Sequence, residues 1–237
     1  MHPPLPERIA GLNWGVLQHS LNEDGYAKLP ALLHEDECRE IIGTYDDDSY
    51  FRGTVSMARY RFGIGEYRYF AAPLPVMLQQ LREGLYPALA GAANQWQERL
   101  GQPPVYPSAL ADFSDHCRAH GQTRATPLIL KYETGGHNCL HQDLYGKVHF
   151  PFQVVFALNR QGADYTGGQF LLVEQRPRAQ SRGHVITLEQ GEGLIFPTRH
   201  RPVPGARGYY RTMLRHGVAT VTSGLRYSLG ILFHDAE

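Results

Sequence analysis

The stretch LRHGVATVTSGLRYSLGILF, residues 214–233, decides how this chain is read. Its first half is rich in β-branched residues and suits a strand beginning near His216. Thr222-Ser223-Gly224 reads as a hairpin turn, and the half that follows alternates. On a strand, Leu225, Tyr227, Leu229 and Ile231 share one face, while Arg226 and Ser228 share the other. A lone arginine pointing into a β-core is costly unless it meets an anion. A buried acid in a structural salt bridge is one such partner. A bound dicarboxylate, gripped in a bidentate pair, is the other.

Working outward, TPLILKYET, FPFQVVFAL, GGQFLLVEQ, HVITLEQ and GLIFPT are further short apolar or alternating runs, separated by Gly, Pro, Asn and Ser. Strands at this spacing predict a β-sandwich or jelly roll over residues 123–237. Residues 1–122 read mainly as helices, with some strands that join the sheet, and the two regions are expected to form one compact unit. His34 to Tyr45 is amphipathic with an acidic start, as a short helix would be. Residues 73–100 place Leu81, Leu85, Leu89 and Ala93 on one row, with Trp96 and Leu100 continuing it. Pro87 is expected to kink or split that helix. Ser108 suits the N-cap of another, running to His120 and closed by Gly121. TVSMARYRF and EYRYF are strand-like. The expected class is α+β.

The segment Cys139-Leu140-His141-Gln142-Asp143-Leu144-Tyr145 adds a chemical question, because His141 and Asp143 two apart on a strand would point the same way. Two histidines and one carboxylate can hold one face of a metal and leave positions open for a cosubstrate and O₂. Two histidines compete for the third place. His200 lies in PTRHRPVPGARG, a Pro/Gly/Arg-rich segment expected to be a loop; His216 begins a strand. The strand context favours His216.

Together, His141-Gln142-Asp143, His216 and Arg226-Tyr227-Ser228 resemble the HxD…H…RxS signature of the iron(II)/2-oxoglutarate-dependent oxygenases. The ten-residue step from His216 to Arg226 is similar to that of prolyl-hydroxylase-like members. LHQD, the preceding LKYETGG and the closing LRYSLGILF look like segments of the AlkB-type nucleic-acid demethylases. More narrowly, GGQFLLVEQRPRAQSR, LRHGV, ILFHDA, YRYFAAPLP and GQTRATPLILKYE resemble a bacterial family described as 2OG-Fe(II) oxygenases acting on damaged DNA. That likeness spans most of the chain.

The resemblance implies a double-stranded β-helix core, Fe(II) as the metal, and 2-oxoglutarate and O₂ as cosubstrates. It makes His141, Asp143 and His216 the iron ligands and catalytic centre. Arg226 would hold the distal carboxylate of 2-oxoglutarate, helped by Ser228 and Tyr132. The sequence departs from the AlkB pattern in two places: a second arginine is replaced by Leu232, and the asparagine before the strand tyrosine by Leu130. The implied reaction decarboxylates 2-oxoglutarate to succinate and CO₂ while oxidising a substrate C–H bond. On an N-methyl group this ends as demethylation; elsewhere it leaves an alcohol.

Composition narrows the rest. With 42% hydrophobic residues, 19% charged residues and zero net charge, the chain is globular rather than disordered. No apolar run approaches the ~20 residues of a membrane span. MHPPLPERIAGLNWG lacks the basic start and apolar stretch of a secretory leader, and three widely spaced cysteines suit reduced thiols, so a cytoplasmic protein is expected. Charge is uneven: residues 1–50 carry ten acids against three bases, and residues 176–215 carry eight arginines against two glutamates. Those arginines suit a phosphate-binding rim, with Arg178, Arg182 and Tyr145 as substrate contacts and Tyr165, Tyr209 and Tyr210 as further stacking surfaces. They equally suit pairing with the acidic N-terminal region. The sequence pI of about 7.2 is low for a nucleic-acid binder. Hydroxylation of a protein side chain or small metabolite is therefore the alternative. A non-catalytic cupin-like metal-binding module is a third reading, which Arg226 and Ser228 argue against.

Overall fold

The computed structural model describes residues 3–237; Met1 and His2, the first residues of the stretch read for a leader, lie outside them. From the N-terminal side run α1 (Leu5–Ala10), α2 (Trp14–Glu23), β1 (Ala27–Leu29), α3 (Glu35–Gly43), β2 (Phe51–Ser56), β3 (Gly63–Ile64), β4 (Glu66–Phe70), α4 (Val76–Arg99) and α5 (Leu110–Ala119). The glutamate of the acidic first turn of α3, Glu37, takes the His34 N–H at 2.7 Å, which satisfies one orphan donor of that helix. Helix α4 runs through Pro87 without a break. Pro87 is exposed, so the carbonyl it frees faces water, while Leu81, Leu85, Leu89 and Ala93 bury the opposite side. Ser108 is not the cap of α5; Ala109 holds that position and offers no side-chain bond.

The β-rich half contains β5 (Leu128–Tyr132), β6 (His137–His141), β7 (Phe152–Ala157), β8 (Tyr165–Gly167), β9 (Phe170–Gln175) and β10 (Arg182–Ile186). It continues with β11 (Gly193–Pro197), β12 (His200–Gly205), β13 (Gly208–Val218), β14 (Val221–Gly224) and β15 (Arg226–Ile231). All named strand pairs are antiparallel. The major sheet has the order β1-β11-β7-β15-β5-β4-β2, and the minor sheet β10-β9-β13-β6-β3 with β12 beside β13. The two sheets are the jelly roll expected from the sequence, and β1, β2 and β4 extend the larger one from the N-terminal half.

Alternation on two central strands separates the cores. Phe152, Val154 and Phe156 of β7, with Tyr227, Leu229 and Ile231 of β15, pack against the helices. Val155 and Ala157 face the other way, with Phe170, Leu172, Phe196 and Leu214.

Two loops expected from the sequence are strands. Residues 200–205 form β12, an edge strand, where Pro202 and Pro204 remove donors that no neighbour needs. Residues 222–224 do not close a hairpin between β13 and β15, which lie in different sheets. They pair with β8 instead, Val221 opposite Gly167 and Gly224 opposite Tyr165.

Among the described residues, no arginine of segment 176–215 forms a salt bridge with an acid of the N-terminal fifty, contrary to the pairing considered above. Buried Arg201 donates instead to Glu174 Oε2 at 3.0 Å and to the Asn22 carbonyl at 2.8 Å. Arg176 takes the other Glu174 oxygen at 3.1 Å. Burial alone would push the Glu174 carboxyl up, but the two guanidiniums outweigh it and hold it below its ordinary value of 4.5. Arg201→Met leaves the buried Glu174 carboxylate with the part-exposed Arg176 as its one cation and should cost about 1.5–3 kcal/mol in urea unfolding at pH 7, the loss of a hydrogen bond to a charged group. The depressed value means the pair's contribution is present above about pH 4.5 and fades as pH falls through the folded pKa. The stability gap between variant and parent should therefore narrow in acid.

Candidate metal centre

Strand β6 brings His141 directly opposite His216 of β13, but two residues later on β13, Val218 faces Asn138, three residues back on β6. The extra residue is a β-bulge at Cys139 and Leu140. It turns both Asn138 and His141 into the cavity between the sheets, which simple alternation would forbid. Strand β6 ends at His141, so Asp143 lies beyond it. Gln142 places Asp143: its amide donates to the Leu214 carbonyl at 2.8 Å and the Arg199 carbonyl at 3.1 Å. The carboxylate is thereby fastened to the strand that carries His216.

The three side chains converge. Asp143 Oδ2 lies 3.2 Å from His216 Nε2, and Oδ1 lies 3.5 Å from His141 Nε2. Their ligand atoms all fall within 4.8 Å of one another. The His141 ring nitrogen Nδ1 sits 2.7 Å from the Cys139 carbonyl, which requires a proton on Nδ1 and leaves the Nε2 lone pair facing the carboxylate in the neutral ring. Burial alone would push the Asp143 carboxyl up, but the charge and hydrogen bonds of the two imidazoles hold it well below the usual carboxylate range. Burial and the neighbouring His141 push His216 down. Tyr145 donates to Asp143 Oδ1 at 2.9 Å, and burial with that adjacent charge drives its phenol far up. This donor set fits a divalent metal with one protein-held face.

The cavity encloses about 190 Å³ and continues from the triad to Arg226. Arg226 is 3% exposed and donates to Ser228 Oγ at 3.1 Å. Its guanidinium lies 5.4 Å from the Tyr132 ring and 5.9 Å from the Tyr165 ring. Its Nε has no partner, and among the described residues no carboxylate pairs with it. The structural salt bridge considered for it is therefore missing, and a buried cation boxed by aromatic rings awaits an anion. Gly168 (φ +63) provides the space, because a Cβ there would stand 2.8 Å from Arg226 Cδ. The two departures noted in the sequence, Leu130 and Leu232, also line this cavity.

Other sequence candidates lie elsewhere. His200 is outside the metal-binding group; burial and then Arg211 and Arg199 bring it down to about 4. Tyr132 is buried, with its hydroxyl 3.4 Å from the Asn138 amide, and burial raises it to about 12. Tyr165 is buried beside Arg226 rather than free for stacking, and Tyr209 is exposed beneath Arg99. Arg178 and Arg182 are exposed around the turn between β9 and β10. Sequence reasoning passed over Tyr60 and Phe62. The run TVSMARYRF leaves the strand at Ser56, turns through Ala58–Tyr60 and reverses at Arg61 (φ 60). This sets Tyr60 and Phe62 in a stack, ring centroids 5.6 Å apart, and Phe62 lines the cavity. The signal that could have found them is the clustering of two arginines and two aromatics in four residues, Arg59 to Phe62.

A family model described as an oxygenase catalysing oxidative methylation of damaged DNA matches residues 65–236. Two proteins of Mycobacterium tuberculosis, from strains CDC 1551 and H37Rv and both named only as uncharacterised, are each 51% identical over 167 residues, 70% of this chain and 72% of theirs. Among solved structures, a prolyl-4-hydroxylase from Pseudomonas putida is similar at a TM-score of 0.54 and 14% identity, over 94% of this chain and 99% of that one. A Trichoplax adhaerens prolyl hydroxylase, solved with a hypoxia inducible factor peptide fragment, gives 0.57 and 16%, over 98% and 92%. At such identities the likeness is one of fold.

Ferrous iron and 2-oxoglutarate added without O₂ should give a visible charge-transfer band in the parent and in His200→Ala, and none in His216→Ala. The reverse pattern would make His200 the third ligand. Arg226→Ala should weaken 2-oxoglutarate binding by about 3–5 kcal/mol and leave iron binding little changed, as loss of one partner of a buried pair does. Cosubstrate titration of the same band measures it.

Proposed function

The chain belongs to the iron(II)/2-oxoglutarate-dependent oxygenases, in the family described as acting on damaged DNA, and we propose that its substrate is a damaged or alkylated base presented in single-stranded nucleic acid. When bound, Fe(II) and 2-oxoglutarate supply the oxidation of a substrate C–H bond; the protein binds, orients and shields. His141, Asp143 and His216 would hold the metal, with Tyr145 and Gln142 fixing the carboxylate between them. Arg226 and Ser228 would take the distal carboxylate of 2-oxoglutarate. Phe170 and Phe196 pack on His216, at ring distances of 5.8 and 4.7 Å, and keep that side dry. No separate acid or base is needed.

The observation that carries the substrate reading is the lip formed by Tyr60 and Phe62. Their rings are stacked, with Tyr60 52% and Phe62 47% exposed, and Phe62 borders the cavity. The Phe62 carbonyl accepts the Cys139 N–H at 2.7 Å, so the lip is tied to the bulge beside His141. Arg59 stands 5.7 Å over the Tyr60 ring, and Arg61 is exposed next to it. Exposed aromatic faces with adjacent guanidiniums suit an unstacked base and its phosphate. An arginine rim adds to this. Register carries the β9–β10 turn and the β12–β13 hairpin beyond the His216–Leu172 level, on the side away from Arg226's end of the cavity. Arg178, Arg182 and Arg207 are exposed there.

Succinate formation should rise with single-stranded oligonucleotides bearing methylated bases and not with peptides or free amino acids. Tyr60→Ala should raise the apparent KM for such an oligonucleotide about tenfold, the loss of one stacking contact. Replacing Arg178 and Arg182 together by alanine should reduce the salt slope of binding by roughly one to two. Stimulation by peptides or amino acids alone would move the chain to protein or metabolite hydroxylation.

A further inference from the structure

Among the described residues, two buried side chains that line the cavity have a polar atom without a hydrogen-bond partner: Arg226 through Nε and Gln153 through Nε2. The cosubstrate reading accounts for the first. It leaves Gln153 unused, although that side chain is only 3% exposed and an unmet buried amide donor is unfavourable. Gln153 is the polar member of the interior face of β7, ahead of Val155 and Ala157, in a strand whose other face is Phe152, Val154 and Phe156.

The register locates it. Val154 pairs with Ile231, so Gln153 lies beside Leu232 at the far end of β15 from Arg226. Six residues of strand, roughly 20 Å, separate the backbone positions of Arg226 and Leu232. On its other side Gln153 faces Phe196, whose ring packs 4.7 Å from His216. Gln153 therefore stands at the metal end of the cavity, where the substrate must come, and away from the end that Arg226 serves. Its amide makes no hydrogen bond through either Nε2 or Oε1 to any described residue, so it offers a donor and an acceptor side by side. A carboxylate would use the donor and be repelled by the adjacent oxygen. A nucleobase edge with a neighbouring donor and acceptor uses both.

We propose that Gln153 reads the hydrogen-bonding edge of the base whose substituent is oxidised, and so sets which base this site accepts. The proposal rests on the nucleic-acid reading above and adds a specificity-determining residue to it. Leu232 beside it gives that part of the cavity an apolar side chain against which a base ring can pack.

The test uses the full chain with Fe(II) and 2-oxoglutarate under anaerobic conditions, so that binding is measured without turnover. The probes are four single-stranded oligonucleotides, each with one methylated adenine, guanine, cytosine or thymine in the same flanking sequence. The parent should prefer one probe. Gln153→Leu should lower affinity for that probe about tenfold or more, the effect of losing one bidentate amide–base contact, and flatten the preference. Its melting temperature should stay level or rise, because it removes an unmet donor. Gln153→Glu, which keeps the shape but only accepts, should shift preference toward the methylated cytosine and adenine probes, whose exocyclic amines donate, and away from methylated thymine, which presents O4 as an acceptor. The charge-transfer titration should give both variants the parent's 2-oxoglutarate affinity. Weakened 2-oxoglutarate binding with base preference intact would overturn the proposal by assigning Gln153 to the cosubstrate, and the substrate class would stand. So would a parent that binds all four probes alike. A parent that binds none of them would overturn both the proposal and the nucleic-acid reading.

Discussion

The register of β15 is the constraint on which the site depends. Every residue from Arg226 to Ile231 is buried, because the strand lies between β5 and β7 with helices on one face and the cavity on the other. Tyr227, Leu229 and Ile231 need the apolar side; Arg226 and Ser228 need the side where a ligand can reach them. A slip of one residue would drive a guanidinium into the helical core and a phenol ring into the cavity. Burial on both faces therefore makes the register steep in energy, and the position of Arg226 in the cavity follows from it.

The metal end is held differently. His141 and His216 owe their opposition to an antiparallel pair, but the carboxylate between them owes its place to side-chain hydrogen bonds. Gln142 ties its own segment to Leu214 and Arg199, and Tyr145 donates to the carboxylate itself. An Asp143 carboxylate facing two imidazole nitrogens at 3.2 and 3.5 Å needs a proton or a metal on each of those contacts. The protonation pattern reflects that need: Asp143 is held low, and His141 is raised because its bonds with Asp143 outweigh its burial. A metal would take over the role of those protons.

How much of this was legible in the sequence depended on whether the deciding contact was local. Alternation in LRYSLGILF suffices to place Arg226 and Ser228 together, since β15 is regular. The same rule applied to His141 and Asp143 reaches a pair that does converge but by the wrong geometry, because the strand has ended and Gln142 completes the placement across to another strand. His200 read as a loop residue from its prolines, and the edge position that tolerates them is a tertiary fact. The turn read at residues 222–224 had the right composition, yet β8 captured it, a partner some fifty-five residues earlier. Gln153 was visible as the polar residue in FPFQVVFAL, and alternation alone puts it opposite Phe152 and Val154. Its significance appears only once the other wall of the cavity is known.

The cavity is polarised along its length, and that ordering supports the chemistry. At one end Arg226 cannot relax away from its lack of a counter-ion: Tyr132 and Tyr165 flank it, and it fills the space that Gly168 leaves. At the other end Gln153 is held in a β-strand between Phe196 and Leu232 with an unmet donor. Both groups are fixed before a ligand arrives, so the unfavourable desolvation is met during folding rather than during binding. A carboxylate reaching Arg226 relieves the first group and cannot serve the second at the same moment. Arg226 and Gln153 are separated by strand length, and Gln153 pairs with Phe196, whose ring packs on His216. On the proposed reading, an elongated acid held at Arg226 would extend toward His141, Asp143 and His216, and the space beside Gln153 would be left for the group to be oxidised.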